Sequence, residues 1–130
     1  MTQPVIGLHA VTLVVPDYDA GIAFFTAAGF DLRADTPLGG GKRWVLLAPP
    51  GGGTALLLAR ATTPRQRAAI GRQAGGRVGF FLSTTDFDAT HAALTAAGAR
   101  WEEPPRDEPY GTVAVWRDPF GNRWDLIRFR

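Results

Sequence analysis

The sequence predicts an α+β domain built from two tandem β-α-β-β-β modules. Two stretches match each other at a constant offset: HAVTLVVPDYDAGIAFFTAAG, which starts at His9, and VGFFLSTTDFDATHAALTAAG, which starts at Val78. The match continues without a gap as far as Leu58 and Ile127. Each stretch is an apolar run of strand length followed by a short alanine-rich segment that ends in glycine. Self-similarity at a fixed spacing indicates that the fold repeats one structural unit.

The first module is expected to begin with a strand and a short helix. Val5 to Val15 is rich in β-branched and apolar residues, as a buried strand is. Asp17 or Asp19 can cap a helix over Ala20 to Ala28, and Gly29 stands where a left-handed C-terminal cap is expected. Three further strands are expected at Phe30 to Asp35, Arg43 to Ala48 and Thr54 to Ala59, with a turn or mobile loop over Thr36 to Gly41.

A linker with its own helix is expected to join the modules. Thr63-Pro64 is an N-cap followed by proline at the first helical position, and Gly75-Gly76 is a stop, which predicts a helix near Pro64 to Ala74. The second module repeats the order of the first, with a strand, a helix, a strand, a polar loop and two strands at Arg77 to Thr84, Asp88 to Ala97, Arg100 to Glu103, Pro104 to Gly111, Thr112 to Arg117 and Arg123 to Phe129. Residues 1–130 therefore form a single domain, divided into a first module at 4–60, a linker at 61–76 and a second module at 77–130.

Composition narrows the functional classes. A chain of 130 residues buries about two-thirds of its unfolded surface, which suits one domain. It contains no cysteine, which excludes disulfides, thiolate metal sites and cysteine nucleophiles. We expect a cytoplasmic protein, because there is no signal peptide and no apolar run long enough to span a membrane.

Charge gives little support for a polyanionic partner. The net charge is +2, and acidic residues are interspersed with the arginines over most of the chain, so we expect no nucleic-acid or membrane partner. The stretch Arg60 to Arg77 is an exception, because it carries five arginines and no acid. It is either a solvated helix between the modules or a binding patch.

Two motifs carry a resemblance to a known family. The first is the opening strand with His9, followed by the turn Pro16-Asp17-Tyr18-Asp19; the second is the closing segment DPFGNRWDL, Asp118 to Leu126. With these residues the chain resembles the vicinal oxygen chelate superfamily, which contains glyoxalase I, extradiol dioxygenases, fosfomycin resistance enzymes and bleomycin-binding proteins. The resemblance implies a glyoxalase/bleomycin resistance-like fold, in which two βαβββ modules with mixed sheets curl around a cavity, and assembly as a homodimer.

The resemblance also implies where a metal would bind. Metal enzymes of that family take one ligand from the first and one from the last strand of each module, and the repeat register places these positions at His9, Leu56, Val78 and Asp125. Two of the four are apolar, and one imidazole with one carboxylate leaves too many coordination positions open for a tight divalent centre. We therefore expect no metal and no other cofactor, with a divalent metal on His9 and Asp125 as the alternative.

Both polar positions also have a structural interpretation. His9 is a ligand or general base, or it is a hydrogen-bonded histidine in a pocket wall. Asp125 is a base or ligand, or it pairs with a nearby arginine. These two are the candidate catalytic residues if the chain is an enzyme.

The strands that carry these positions predict a mostly apolar cavity. Alternation of side chains along a strand, together with aromatic and cationic residues nearby, gives a set of expected ligand-binding residues. They are Val11, Leu13, Trp44, Leu56, Leu58, Val78, Phe80, Leu82, Tyr110 and Arg123.

Two functional classes follow from this cavity. The first is a small-molecule-binding protein without a tight metal centre, similar to the bleomycin-binding members, which sequesters an amphipathic or aromatic ligand. The second is a metal-dependent lyase or dioxygenase of the glyoxalase type that uses His9 and Asp125. In either class the cavity lies within one chain or between two chains of a homodimer.

Overall fold

A computed structural model describes residues 2–130, so that Met1, the first residue of the expected domain, lies outside it. Over the described residues the chain forms three helices and nine strands. In chain order these are β1 (Ala10–Val15), α1 (Tyr18–Ala27), β2 (Asp31–Gly39), β3 (Lys42–Ala48), β4 (Ala55–Arg60), α2 (Pro64–Ala69), β5 (Phe80–Ser83), α3 (Phe87–Ala97), β6 (Arg100–Trp101), β7 (Arg106–Glu108), β8 (Gly111–Arg117) and β9 (Arg123–Phe129).

The strands form two mixed sheets with matching strand order. The first sheet has the order β1-β4-β3-β2 and the second the order β5-β9-β8-β6, with β7 also paired to β8. The pairs β1–β4 and β5–β9 are parallel, and all other strand pairs are antiparallel. A parallel pair requires a long crossover, which here contains a helix and the intervening strands. The predicted α+β fold with two mixed sheets is confirmed.

Aspartate caps position the two longer helices. The Asp17 carboxylate accepts a hydrogen bond from the Ala20 amide at 2.9 Å, and Asp86 accepts one from the Ala89 amide at 3.1 Å. Each satisfies a backbone donor that a helix N-terminus leaves free. Gly98 ends α3 with a φ of +114°, a left-handed conformation that favours glycine.

The main core lies between the two sheets. Phe24 and Phe25 of α1 are buried, and they contact Trp116 and Trp124 of the second sheet with ring centroids 6.1 and 5.8 Å apart. The same cluster contains Leu13 and other residues from one face of the first sheet. Helix α1 is therefore covered by a sheet on either side. We call the sheet faces that pack on the helices the core faces, and the opposite faces the open faces.

The closing motif folds around a buried carboxylate. Asp118 is fully buried, and its two oxygens accept four hydrogen bonds, from the Phe120 and Asn122 amides, the Asn122 side chain and the Trp124 indole, at 2.9 to 3.0 Å. A carboxylate has acceptor sites for all four donors. The aspartate and asparagine of this motif therefore hold together the turn between β8 and β9.

The structure corrects several expected boundaries. Strand β1 begins at Ala10 rather than Val5, helix α2 ends at Ala69 rather than Ala74, and β5 is shorter than expected at both ends. The expected loop over Thr36 to Gly41 is largely strand, because β2 continues to Gly39 and forms a tight hairpin with β3. Irregular pairing within β2 explains why simple alternation does not mark this strand.

The expected polar loop before β8 contains an additional strand. Arg106–Glu108 pairs antiparallel with Gly111–Val113 through the turn at Pro109 and Tyr110. The preceding Pro104 and Pro105 interrupt the edge between β6 and β7. The Glu103 carboxylate accepts the Val115 amide at 3.1 Å in this interruption, so a side chain replaces a backbone acceptor. No helix in the described part of the chain is long and apolar enough to cross a membrane.

Candidate functional site

The open face of the first sheet is apolar. Alternate residues of β3 belong to different clusters: Val45 and Leu47 lie in the main core, whereas Leu46 and Ala48 lie in a second cluster on the open face. Trp44 shares the parity of Leu46 and is 39% exposed. The rest of the second cluster comes from the neighbouring strands: Ala10, Ala34, Ala55 and Leu57.

The open face of the second sheet is also apolar, with one acid near its centre. Asp125 on β9 lies opposite Val115 on β8 and Phe81 on β5. Val115 and Ile127 are buried, but Phe81 is 66% exposed. None of these four residues belongs to the main core, which takes the alternate residues of the same strands.

Asp125 has an unusual environment for a carboxylate. One of its oxygens, Oδ1, is buried and has no hydrogen-bond partner among residues 2–130. Burial raises the pKa of the Asp125 carboxyl above its usual value; the positive charge of Arg106 opposes this shift and the negative charge of Glu103 reinforces it. Buried acceptors are normally satisfied, so this atom requires an explanation.

The two open faces do not meet within one chain. Helix α1 separates the core faces, so the open faces point away from each other on opposite sides of the molecule. Neither open face is therefore covered by the other within one copy of the chain.

A crevice of about 290 Å³ lies elsewhere, between β1, β5 and the linker. Its floor includes Val11 and Phe80, and Gln73, Arg117 and Arg123 line its sides. The Gln73 side chain bonds the exposed edge of β1, accepting from the Val14 amide and donating to the Thr12 carbonyl, both at 2.8 Å. Gln73 thereby occupies the edge where another strand would pair.

The predicted ligand contact Arg123 is already engaged. Its guanidinium donates to Glu102 at 2.8 Å and to the Gly76 carbonyl at 3.0 Å. The hydrogen bond from Arg123 holds the pKa of Glu102 below its usual value, and Glu102 in turn raises the pKa of Arg123. Arg123 thus connects the linker to β9, and Trp44 and Tyr110 are the predicted aromatic contacts that remain substantially exposed.

The predicted facing of the apolar strand residues is corrected. Leu13, Leu56 and Leu58 lie in the main core, and Val11, Phe80 and Leu82 pack against it. Val78 precedes β5 and is half-buried. The repeat register grouped these residues correctly by parity, but the shared face is the one covered by helices. Packing in the interior of the domain accounts for the apolar character of Leu13, Leu56 and Leu58. Val11 and Phe80 also line the crevice, and contact of these residues with a ligand stays a prediction.

His9 also lies away from the open face. It precedes β1, its side chain is exposed, and its carbonyl accepts the Ala55 amide at 3.0 Å. Its position in the alternation matches Val11 and Leu13, opposite to Ala10. Whether His9 or Asp125 has a catalytic role stays a prediction.

The residues present do not make a good metal site. The four positions at which the family's metal enzymes carry ligands belong to the stretches that form β1, β4, β5 and β9. The open faces of these strands carry Ala10, Leu57, Phe81 and Asp125, and only Asp125 has a side chain that binds metals strongly. Within the part of the chain that the structure covers, no three histidine, aspartate or glutamate side chains are grouped to hold an ion. A tight divalent centre ordinarily takes three or more protein ligands.

Several open-face residues were not expected from the sequence. Leu46, Leu57, Phe81 and Val115 are these residues. The parity of Trp44 was the available signal, because it places Leu46 and Ala48 on the same side of β3. In the same way, the alternation of side chains along β9 predicts that Ile127 lies on the face of Asp125, and Ile127 does lie there.

Comparison with known proteins gives the class to which this protein belongs. The sequence model of the Glyoxalase/Bleomycin resistance protein/Dioxygenase superfamily matches residues 7–126. The chain belongs to this superfamily, which confirms the resemblance drawn from the two motifs.

Individual relatives extend over nearly the whole chain. An uncharacterized protein of Shewanella frigidimarina (strain NCIMB 400) is 47% identical over 121 residues, covering 91% of this chain and 90% of the relative. The crystal structure of TnmS3, an antibiotic binding protein from Streptomyces sp. CB03234, is 30% identical with a TM-score of 0.76, covering 99% of this chain and 100% of that one. A glyoxalase/bleomycin resistance protein from the same Streptomyces strain is 34% identical with a TM-score of 0.67, covering 92% and 98%.

Proposed function

We propose that this protein binds and sequesters an amphipathic or aromatic small molecule in a cavity closed by two copies of the chain, without a tight metal centre. The observation that carries the proposal is the pair of apolar open faces, which point in opposite directions within one chain. A ligand on either face alone would remain half in water.

Exposed apolar residues support an assembly of copies. Trp44 and Phe81 stand on the two open faces, and Val5 and Ile6 in the segment before β1 are 99% and 91% exposed. Contiguous exposed apolar surface is typical of interaction sites. A two-fold dimer that places the first sheet of one copy opposite the second sheet of its partner would use both faces and create two equal cavities.

The similarity to TnmS3 supports a ligand rather than a reaction. That protein is described as an antibiotic binding protein, and it matches this chain over its full length. We infer that the ligand here is of comparable character, a small organic molecule with an apolar or aromatic surface. Aromatic side chains such as Trp44 and Phe81 bind such surfaces through large contact areas.

The second candidate is a metal-dependent lyase or dioxygenase on His9 and Asp125. The presence of Asp125 on an open face is the observation that favours it. The exposed position of His9 on the opposite parity speaks against it. Metal content after chelator-free purification, followed by reloading with zinc, nickel, manganese or ferrous iron, distinguishes the two. A stoichiometric metal that His9→Ala removes would refute the binding proposal in favour of the enzyme.

Binding itself is tested with a matched pair of variants. Sedimentation should show a dimer at micromolar concentration, and calorimetry with a panel of aromatic compounds should identify ligands. Trp44→Ala should weaken their binding, because it removes an exposed ring from the open face. Leu32→Ala is the control, since Leu32 is also exposed on this sheet but lies opposite the core residue Leu47. Equal effects of both variants, or a protein that remains monomeric when saturated with ligand, would contradict the proposed cavity.

A further inference from the structure

The unpartnered oxygen of Asp125 is the most informative polar atom on the open faces. Its Oδ1 is buried without a donor among the described residues, although the side chain as a whole is only half-buried. Leaving such an acceptor unsatisfied costs about 1–3 kcal/mol, so a sequence selected only for stability would replace it. Asp118 in the same module shows the contrast, because both of its oxygens are satisfied.

The strand neighbours of Asp125 are apolar, and the charged side chains of Glu103, Arg106 and Arg123 lie near enough to influence its pKa. Val115 and Phe81 are its neighbours across the sheet, and Ile127 follows on the same face of β9. Phe81 is an exposed ring beside the carboxylate. A ligand that covers this face therefore contacts the apolar and aromatic surface beside the Asp125 carboxylate.

The nearby arginines do not neutralise this acid. Arg106 is bound by Glu103 and by Glu108. Arg123 is bound by Glu102, which also pairs with Arg117 at 3.4 Å. Each of these arginines thus already has a glutamate partner. Residues 2–130 supply no hydrogen-bond donor to Asp125 Oδ1.

We propose that Asp125 is a specificity-determining residue that selects ligands carrying a protonated amine on an apolar or aromatic frame. The ammonium donates to the carboxylate, and the frame lies against Phe81, Val115 and Ile127. Hydrogen bonds between charged groups are about twice as strong as neutral ones, and they are stronger still where water is excluded. This inference rests on the proposed ligand-binding function and assigns the chemistry of its ligand.

A matched set of naphthalene probes tests the inference. The probes are 1-naphthylmethylammonium, 1-naphthylmethanol and 1-naphthoate, which share a frame and differ in charge. We expect the native dimer to bind the ammonium most tightly and the carboxylate least tightly in calorimetry. Asp125→Asn should reduce affinity for the ammonium about tenfold while leaving affinity for the alcohol within about twofold.

Two controls separate this role from a structural one. Asp107→Asn makes the same substitution at an exposed acid of β7 and should leave the order of probes unchanged. In addition, the Asp125 carboxyl, followed by carbon NMR, should show a lower pKa when the ammonium is bound, because a cation favours the ionised form. The alcohol should not produce this shift.

The possible outcomes distinguish a failure of the role proposed for Asp125 from a failure of the proposed ligand-binding function. If no probe and no panel compound binds, the proposed cavity is wrong and the inference falls with it. If the probes bind but Asp125→Asn preserves the ratio between ammonium and alcohol, ligand binding stands and the role of Asp125 is refuted. An unchanged ratio in Asp125→Leu, which removes every polar atom, would refute it as well.

Discussion

Replacing Asp118 should destabilise the protein more than replacing any exposed acid, although the residue touches no open face. Asp118→Ala leaves the Asn122 amide, the Asn122 side chain and the Trp124 indole as buried donors without an acceptor. The fourth donor, the Phe120 amide, is only part-buried and can bond water. At about 1–1.5 kcal/mol for each buried donor, the expected loss is about 3–5 kcal/mol.

That loss is large for a chain of this size. Globular proteins have about 0.05–0.15 kcal/mol of stability per residue, so 130 residues correspond to about 6–20 kcal/mol. Asp118→Asn should cost less, about 2–3 kcal/mol, because the amide retains one acceptor but presents its own N–H groups to the remaining donors. Both variants should keep the ligand preference of the protein that remains folded.

Urea unfolding followed by tryptophan fluorescence measures these losses. With a slope of about 2 kcal/mol per molar urea, Asp118→Ala should lower the midpoint by about 2 M. Asp107→Asn is the control, and it should change the midpoint by less than about 0.3 M because surface substitutions have small effects. A loss below about 1 kcal/mol for Asp118→Ala would refute the interpretation of this carboxylate as the structural centre of the closing turn. A double-mutant cycle with Trp124→Phe should give a coupling of about 1 kcal/mol.

Three further predictions test other parts of the structure. Gly71→Ala should lower the free energy of unfolding in urea by about 2–3 kcal/mol, because Gly71 has a φ of +73° and an added Cβ would overlap the Phe120 carbonyl oxygen. Gly75→Ala is the control and should cost about 1 kcal/mol, because Gly75 has a φ of +64° but open space around it. Equal costs would contradict a close approach at Gly71. Asp125→Asn should raise stability at neutral pH slightly, because it removes a charge that burial disfavours, and solvent screening of this half-buried group keeps the gain small. Because the pKa of Asp125 is raised in the folded state, its favourable contribution to the free energy of unfolding is complete below the usual aspartate pKa and is lost as pH rises through the folded-state value. The stability of Asp125→Asn relative to the native protein should therefore increase with pH over that range. A constant difference between the two would contradict this expectation. Leu13→Ala should cost about 2–5 kcal/mol without altering the order of the naphthalene probes, whereas an altered order would place Leu13 in the cavity after all.

The sequence predicted the helices well because the interactions that begin and end a helix involve neighbouring residues. Asp17 and Asp86 each cap a helix with a carboxylate three residues before the bonded amide, and Gly98 ends α3 in the left-handed region. These interactions depend on a few neighbouring residues, so sequence alone indicates them. The constant offset between the two stretches added the order of strands, and the two sheets do have the same order.

Local sequence signals did not predict which side chains of each strand point to the core. In β3 the run Trp44 to Ala48 is apolar on both sides, since Val45 and Leu47 pack on the helices while Leu46 and Ala48 cover the open face. Alternation identifies a buried face only when the other face is polar. An apolar lining and an apolar core therefore give the same sequence pattern, and Leu13, Leu56 and Leu58, which were expected to line a cavity, lie in the main core.

Asp118 and Asp125 differ in whether their carboxylate oxygens receive hydrogen bonds. Asp118 receives a donor for every position that its oxygens offer, and all four donors lie within a few residues of it. Asp125 lies on the next strand and is only half-buried, yet its buried oxygen receives none from residues 2–130. Folding alone explains the first carboxylate, since removing it leaves donors unpaired. It does not explain the second, whose removal would relieve a cost. A residue that a protein retains against its own stability is best accounted for by something that binds it.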